Sequence, residues 1–234
     1  MFILEGTIGA GKSTFLSLLK RWFPPVTTLQ EPVQNWGNDK ESLLARFIQD
    51  PHRWAYAMET YTMICRVKDH RQYQALPDPY LLLERSIYSG HHVFAVNDYK
   101  QGFLTHQEWD AYMTYVQYLI PQLCKPPVGF IYLRAEPEIA YQRICKRSRS
   151  SESGYKLEYL QQMHERHEEF LVQKLGVGDD IKNVPVLILD ANHEFESDDV
   201  KSKQLCSQAM QFMFELVAHA PSTKPITQRD HATC

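Results

Sequence analysis

Short apolar runs alternate along the chain with longer stretches whose apolar residues recur at helical spacing. Phe2 to Glu5 reads as a buried strand. "VTTLQ", ahead of Glu31-Pro32, reads as a second, and Tyr80 to Glu84, Val128 to Leu133 and Val186 to Asp190 as three more. Helical patterns are predicted from Lys12 to about Phe23, from roughly Leu43 to Tyr73, and over Gln107 to Leu123, Pro137 to Arg147 and Lys156 to Leu175. Pro24-Pro25 stops the first of these. Strands alternating with helices predict an α/β fold with a parallel sheet covered on both faces. There is no internal repeat and no interior linker, so residues 1–220 are expected to form a single domain. The polar, proline-bearing stretch 221–234 is expected to be a flexible C-terminal tail.

Composition changes this picture little. With 234 residues, 44% of them hydrophobic, one substantial core is affordable in chain length. A net charge of −3 speaks against a surface that coats nucleic acid or a polybasic membrane patch. Five cysteines, odd in number and without a CxxC pair, point to reduced thiols rather than a disulfide framework or zinc site. No apolar stretch approaches a membrane span. The first strand begins at Phe2, which leaves no room for a signal or transit peptide, and a soluble cytoplasmic protein is expected.

The chemistry starts at Gly6-Thr7-Ile8-Gly9-Ala10-Gly11-Lys12-Ser13, followed by Thr14. This run fits G-x-x-x-x-G-K-[ST], between a predicted strand and a predicted helix. Glycines let backbone N–H groups close around phosphate oxygens, and the helix N-terminus adds its partial positive charge. Lys12 is expected on the outer phosphates and Ser13 on Mg²⁺. The loop predicts a nucleoside triphosphate as donor and says nothing of the acceptor.

Strand ends supply candidates for the rest. Strand two runs into Glu31, and strand three ends in Glu84-Arg85-Ser86, so both carboxyls should face the crevice of the phosphate loop. One carboxylate there can take a proton from an attacking hydroxyl, and another can hold Mg²⁺. Arg85 can neutralise charge around the reacting oxygen. Arg143, Arg147 and Arg149, with Glu152, lie where a helix runs into a serine-rich loop. They read either as a loop that closes over ATP or as a solvated basic face.

The ordered motifs "EGTIGAGKST", "EPVQNW", "DPHRWAYAMETY", "LLLERSIYS", "RICKRSR", "LEYLQQMHERHEEFL" and "LDANHEF" resemble the deoxynucleoside kinase family from Ile3 to about Phe195. The resemblance implies a five-stranded parallel sheet of the P-loop kinase type, usually a homodimer, and transfer of phosphate from ATP to a nucleoside 5′-hydroxyl. It implies Glu31 as general base, Arg85 beside the 5′-oxygen, and Ser13 and Glu84 on the magnesium side. It implies Lys12, Arg143, Arg147 and Arg149 around the phosphates, with Glu152 at the sugar 3′-hydroxyl. Trp36, Met58 and Phe94 match positions that sandwich the acceptor base. Glu194 and Phe195 match the loop over the donor's adenine. The histidines of "HERHE" (His164 to Glu168) correspond to similar ones on a structural helix of the family, which argues against reading them as a zinc site.

The chain departs from its family in the acceptor pocket. An aromatic position that meets the sugar falls at Ile48, beside Phe47, and neither can hydrogen-bond. The base-reading glutamine falls at Glu59, and the usual Arg–Asp pair becomes Arg66 with Gly90. An ionised carboxylate only accepts, which suits the adjacent N1–H and N2–H donors of guanine. Arg66 could donate to guanine O6 and N7, and Gly90 would leave room for a purine. Glu59 and Arg66 lie two turns apart on one predicted helix face, about 10 Å of rise. These features predict a guanine-leaning nucleoside site. Two readings compete: Glu59 pairs directly with Arg66, or it stays protonated and imitates glutamine. A thymidylate-type monophosphate kinase and a catalytically retired binding or assembly protein are the alternative functions.

Overall fold

The computed structural model describes residues 1–31, 42–147 and 155–219. Its strands are β1 (Phe2–Glu5), β2 (Thr28–Leu29), β3 (Leu82–Glu84), β4 (Gly129–Arg134) and β5 (Val186–Asp190). They form one parallel sheet in the order β2-β3-β1-β4-β5. The helices are α1 (Lys12–Trp22), α2 (Leu43–Gln49), α3 (Pro51–Tyr73), α4 (Ile87–Ser89), α5 (Val96–Lys100), α6 (His106–Leu123), α7 (Pro137–Arg147), α8 (Leu157–His167), α9 (Asp179–Lys182) and α10 (Asp199–Ala218). Among the described residues, no helix is long and apolar enough to cross a membrane.

Every residue of β1 is buried, as a central strand covered on both faces requires. Its alternation feeds two cores. Phe2 and Leu4 join Phe15 and Leu19 of α1 and Ala209 and Met213 of α10 on one side. Ile3 joins Met63 of α3, Tyr112 of α6 and Met163 of α8 on the other. Because the strands are parallel, the segments that follow β1, β2 and β3 leave the sheet at one edge, and the sheet gathers the phosphate loop, Glu31 and Arg85 there.

Several expected boundaries move. The helix expected over Leu43 to Tyr73 is two helices. The Asp50 side chain accepts from Arg53 N at 3.2 Å and caps α3, while Pro51 occupies its first position, where a missing N–H costs nothing. The helix expected to reach Leu175 is α-helical only to His167 and continues as a π-helical turn through Val172. β2 keeps two residues of "VTTLQ", and β3 begins after Tyr80. A helical run after β3, α4 to α5 through a π-helical Gly90–Ala95, is not anticipated by the periodicity. Nor is α10, although Asp198 caps it and Leu205, Cys206, Ala209, Met210 and Met213 form a buried stripe at helical spacing.

Candidate functional site

The phosphate loop connects β1 to α1. Gly9 and Gly11 adopt φ of 83° and 96°, in the left-handed region that favours glycine. A Cβ on Gly11 would come within 2.6 Å of the Phe195 ring, so close packing forbids a side chain there as well. The Lys12 ammonium folds back to donate to Gly6 O and Thr7 O, both at 3.0 Å. Burial, reinforced by Arg85, draws its pKa down to about 7 against the opposing pull of Glu84 and Glu31. Ser13 Oγ donates to Glu84 Oε1 at 3.1 Å and lies 3.3 Å from Oε2. This hydroxyl and carboxylate, side by side at the loop, form a hard-oxygen donor set that fits Mg²⁺.

Glu31 stands just past β2, held by two arginines. Arg66 Nη2 and Nε donate to its Oε1 at 2.7 and 3.3 Å, and Arg85 Nε donates to its Oε2 at 3.1 Å. Burial alone would raise its pKa, but Arg66 and then Arg85 outweigh burial and hold the carboxyl below its ordinary value. Arg85 takes a left-handed φ of 63°, uncommon for a residue with a side chain, and its Nη2 reaches Gly6 O at 3.4 Å. Both guanidinium groups lie over the Phe94 ring, Arg85 at 4.6 Å and Arg66 at 5.6 Å.

Lys12, Ser13, Glu84, Glu31, Arg66, Arg85, Phe47, Met58, Glu59 and Phe94 line one cleft. Three expectations for this cleft are corrected. Ile48 packs into the apolar cluster of Phe47, Ala55, Met58 and Leu104 instead of lining the cleft. Gly90 does not leave open space: a Cβ there would lie 2.7 Å from Arg66 Nη1, because the arginine already fills it. Arg66 is not without a carboxylate and does not pair with Glu59, since its salt bridge goes to Glu31. Glu59 is 5% exposed, and burial, tempered by Arg66 and reinforced by Glu31, pushes its pKa up to about 7.

A second cavity lies on the other side of the loop, where Gly9, Gly11, Thr14, Arg143, Arg147 and Phe195 meet. Arg143 donates to Ala10 O at 3.3 Å and to His193 O at 2.8 Å, and covers the Phe195 ring at 5.4 Å. Phe195 is 3% exposed and belongs to the first core. Glu194 Oε1 accepts from Glu196 N at 2.6 Å, which, with a further backbone contact and Arg143, holds its carboxyl low. Arg147 borders both cavities. Trp36, Arg149 and Glu152 lie outside the described residues.

Sequence reasoning missed several participants. Glu5, fully buried at the end of β1, accepts from Ser86 Oγ at 2.7 Å, and burial raises its pKa against Arg85. Its place just before the glycine loop was the available signal. Leu44, Thr62 and the stacked pair Tyr155–Tyr159 also line the cleft. The "HERHE" histidines turn to the backbone: His167 Nδ1 bonds Met163 O at 2.7 Å and His164 Nδ1 bonds Ala135 O at 3.2 Å.

A family model described as deoxynucleoside kinase matches residues 2–214. Deoxycytidine kinase 2 of Gallus gallus is 32% identical over 235 residues, covering 90% of this chain and 89% of the relative. The mitochondrial deoxyguanosine kinase of Xenopus laevis is also 32% identical, covering 90% and 88%. Deoxycytidine kinase of Homo sapiens is 30% identical, covering 91% and 90%.

Proposed function

Because the chain belongs to the deoxynucleoside kinase family, we propose that the cleft holding Glu31 transfers the γ-phosphoryl group of ATP to a deoxynucleoside 5′-hydroxyl. The observation that carries this reading is Glu31 itself, pinned by Arg66 and Arg85 beside Lys12 and the Ser13–Glu84 pair. Oε1 takes two N–H groups of Arg66, whereas Oε2 takes only Arg85 Nε and keeps a lone-pair direction for an incoming hydroxyl. Its lowered pKa keeps it ionised at neutral pH, ready to accept a proton as the hydroxyl becomes a nucleophile. The transition state of phosphoryl transfer is loose, so the base needs position more than strength.

The glycine loop cradles the phosphates, and Lys12 leaves the carbonyls of Gly6 and Thr7 to meet the outer ones. Ser13 and Glu84 would hold Mg²⁺, which when bound would offset phosphate charge. Arg85 faces the 5′-oxygen, and Arg143 and Arg147 close over the donor. The donor base lies against Phe195 under Arg143. On the acceptor side, Met58 and Phe94 flank the base and Glu59 meets its polar edge.

Glu59 sets the base preference. Ionised, it offers two acceptors and favours guanine, the preference the sequence suggests. Neutral, it donates and accepts like an amide and suits cytosine or adenine. The second form is favoured by a specific observation: Glu59 is buried and its neighbouring arginine is committed to Glu31. The same commitment counts against a monophosphate kinase, since Arg66 is then unavailable to grip an acceptor phosphate. The test is kcat/KM with Mg·ATP for four deoxynucleosides and their monophosphates, repeated with Glu59→Gln. The reading requires deoxynucleosides to be the better acceptors; faster turnover of a monophosphate would refute it.

The enzyme is proposed to act as a homodimer. Tyr61 and Ile64 on α3 and Tyr115 and Tyr118 on α6 are 44%, 54%, 45% and 62% exposed, large apolar side chains gathered on neighbouring helices. A groove lined by Ile64, Val67, Leu119 and Leu123 runs between them.

A further inference from the structure

β1 is apolar up to its last residue, and that residue is a wholly buried carboxyl, Glu5. A leucine there would carry no desolvation cost, whereas a buried carboxyl has to be met by hydrogen bonds. Glu5 Oε1 accepts from Ser86 Oγ at 2.7 Å. Ser86, itself buried, also caps α4: its Oγ accepts from Ser89 N at 3.2 Å, and its N–H donates to Ser89 Oγ at 3.3 Å. Capping uses only a lone pair of the hydroxyl. The hydroxyl proton is not needed for the cap, and it goes to Glu5.

Arg85 lies between two anchors to β1. The strands β1 and β3 are paired in parallel as far as Leu4 and Glu84, and Arg85 N then donates to Leu4 O at 2.9 Å. At this point the chain turns, and Arg85 takes its left-handed φ of 63°. A residue with a Cβ holds that conformation only where its surroundings impose it. From there the guanidinium reaches Glu31 Oε2 at 3.1 Å and Gly6 O at 3.4 Å. Relaxing residue 85 to an ordinary φ would swing its side chain off both. The bond to Leu4 fixes Arg85 at its own N–H, and the Glu5–Ser86 bond fixes the residue that follows it.

We propose, on the reading that Arg85 faces the 5′-oxygen, that Glu5 and Ser86 are positioning residues for Arg85: their hydrogen bond locks the turn after β3 against the end of β1, where the phosphate loop begins. Gly6, the first residue of the loop, directly follows Glu5, and its carbonyl is one of the groups that Arg85 meets. The guanidinium and the loop are thereby held to one common reference. A shift of residue 85 changes the distance between the guanidinium and the transferred group, and catalysis by positioning does not tolerate that. Donor binding rests on loop N–H groups and Lys12, which the bond does not supply, so its loss falls on kcat.

The experiment measures kcat and KM with Mg·ATP and deoxycytidine or deoxyguanosine, whichever turns over faster. The variants are Glu5→Leu, Glu5→Gln, Ser86→Ala and Ser86→Thr, each alone and combined with Arg85→Met. Glu5→Leu and Ser86→Ala are expected to lower kcat by about 10- to 10²-fold, with KM for ATP within about twofold of the wild type. Glu5→Gln, neutral but still an acceptor for Ser86 Oγ, and Ser86→Thr, which keeps the hydroxyl, recover most of that loss. Arg85→Met alone slows turnover by about 10²- to 10³-fold. In that background Glu5→Leu adds no further loss, because the group it positions is gone. A general packing defect would instead multiply the two losses or act through KM for ATP, and either result overturns the positioning role. If Glu5→Leu does not fold, Ser86→Ala, alone and with Arg85→Met, makes the same comparison. A slowed Arg85→Met beside wild-type rates for Glu5→Leu and Ser86→Ala overturns the inference alone. Wild-type kcat in Arg85→Met overturns the reading of Arg85 and the inference with it.

Discussion

Arg66 Nη2 lies 2.7 Å from Glu31 Oε1, and its Nη1 fills the space that a side chain at residue 90 would take. The absence of a side chain at Gly90 thereby becomes a catalytic matter: Arg66 is available to the proposed base. Gly90→Asp would set a second carboxylate against the same guanidinium and draw it from Glu31. Since Arg66 is the foremost opposite charge lowering the pKa of Glu31, its loss raises that pKa. The acidic limb of the kcat/KM profile is then expected to move up by about one pH unit. An unmoved limb would show that Arg66 does not govern Glu31.

Burial and Arg85 lower the pKa of Lys12, whose ammonium is turned toward backbone carbonyls. Phosphate oxygens favour the charged form, so ATP binding at about pH 8 should draw a proton from solution. Calorimetry in buffers of different ionisation enthalpy measures this directly. Proton uptake is expected in the wild type and absent in Lys12→Ala, which should also bind ATP far more weakly.

Stability should carry the signature of the acceptor pocket. The folded-state pKa of Glu59 is raised to about 7 by burial. Its favourable contribution is therefore full below the unfolded value of about 4.3 and declines as pH rises toward the folded value. Glu31, with a lowered pKa, acts oppositely: its contribution is present above the unfolded value and is lost in acid. Glu59→Gln should thus gain stability over the wild type between about pH 5 and about pH 7, by on the order of 1 kcal/mol per pH unit at most. Denaturant melts at both pH values test this, and a constant difference would argue against a buried, uncompensated Glu59.

The apolar patch on α3 and α6 leads to a prediction about assembly. Ile64→Asp with Tyr118→Asp places two charges on it without touching the cleft. Light scattering should report a dimer for the wild type and a monomer for the double variant. A wild-type monomer at micromolar concentration would refute the proposed homodimer.

The phosphate loop was legible because glycine there is a backbone requirement that the sequence states outright. The sheet was legible because buried parallel strands read as continuous apolar runs. The break at Asp50-Pro51 was also written in the chain, as a capping residue before a first-turn proline, but apolar periodicity runs through it. The Arg66–Glu31 pair was not legible. Helical spacing places Arg66 on the face of Glu59, whereas a long side chain can reach across to the segment after β2.

Glu31 carries the central claim. The most direct measurement is formation of deoxynucleoside 5′-monophosphate by the wild type and by Glu31→Gln, with Mg·ATP saturating and the fold of both checked by circular dichroism. The amide keeps the shape and can still accept from one of the two arginines through its oxygen, but its NH2 cannot accept from the other and it cannot take the proton. A fall in kcat of about 10²- to 10⁴-fold with little change in KM for ATP is predicted. A Glu31→Gln enzyme that turns over at the wild-type rate would contradict the account.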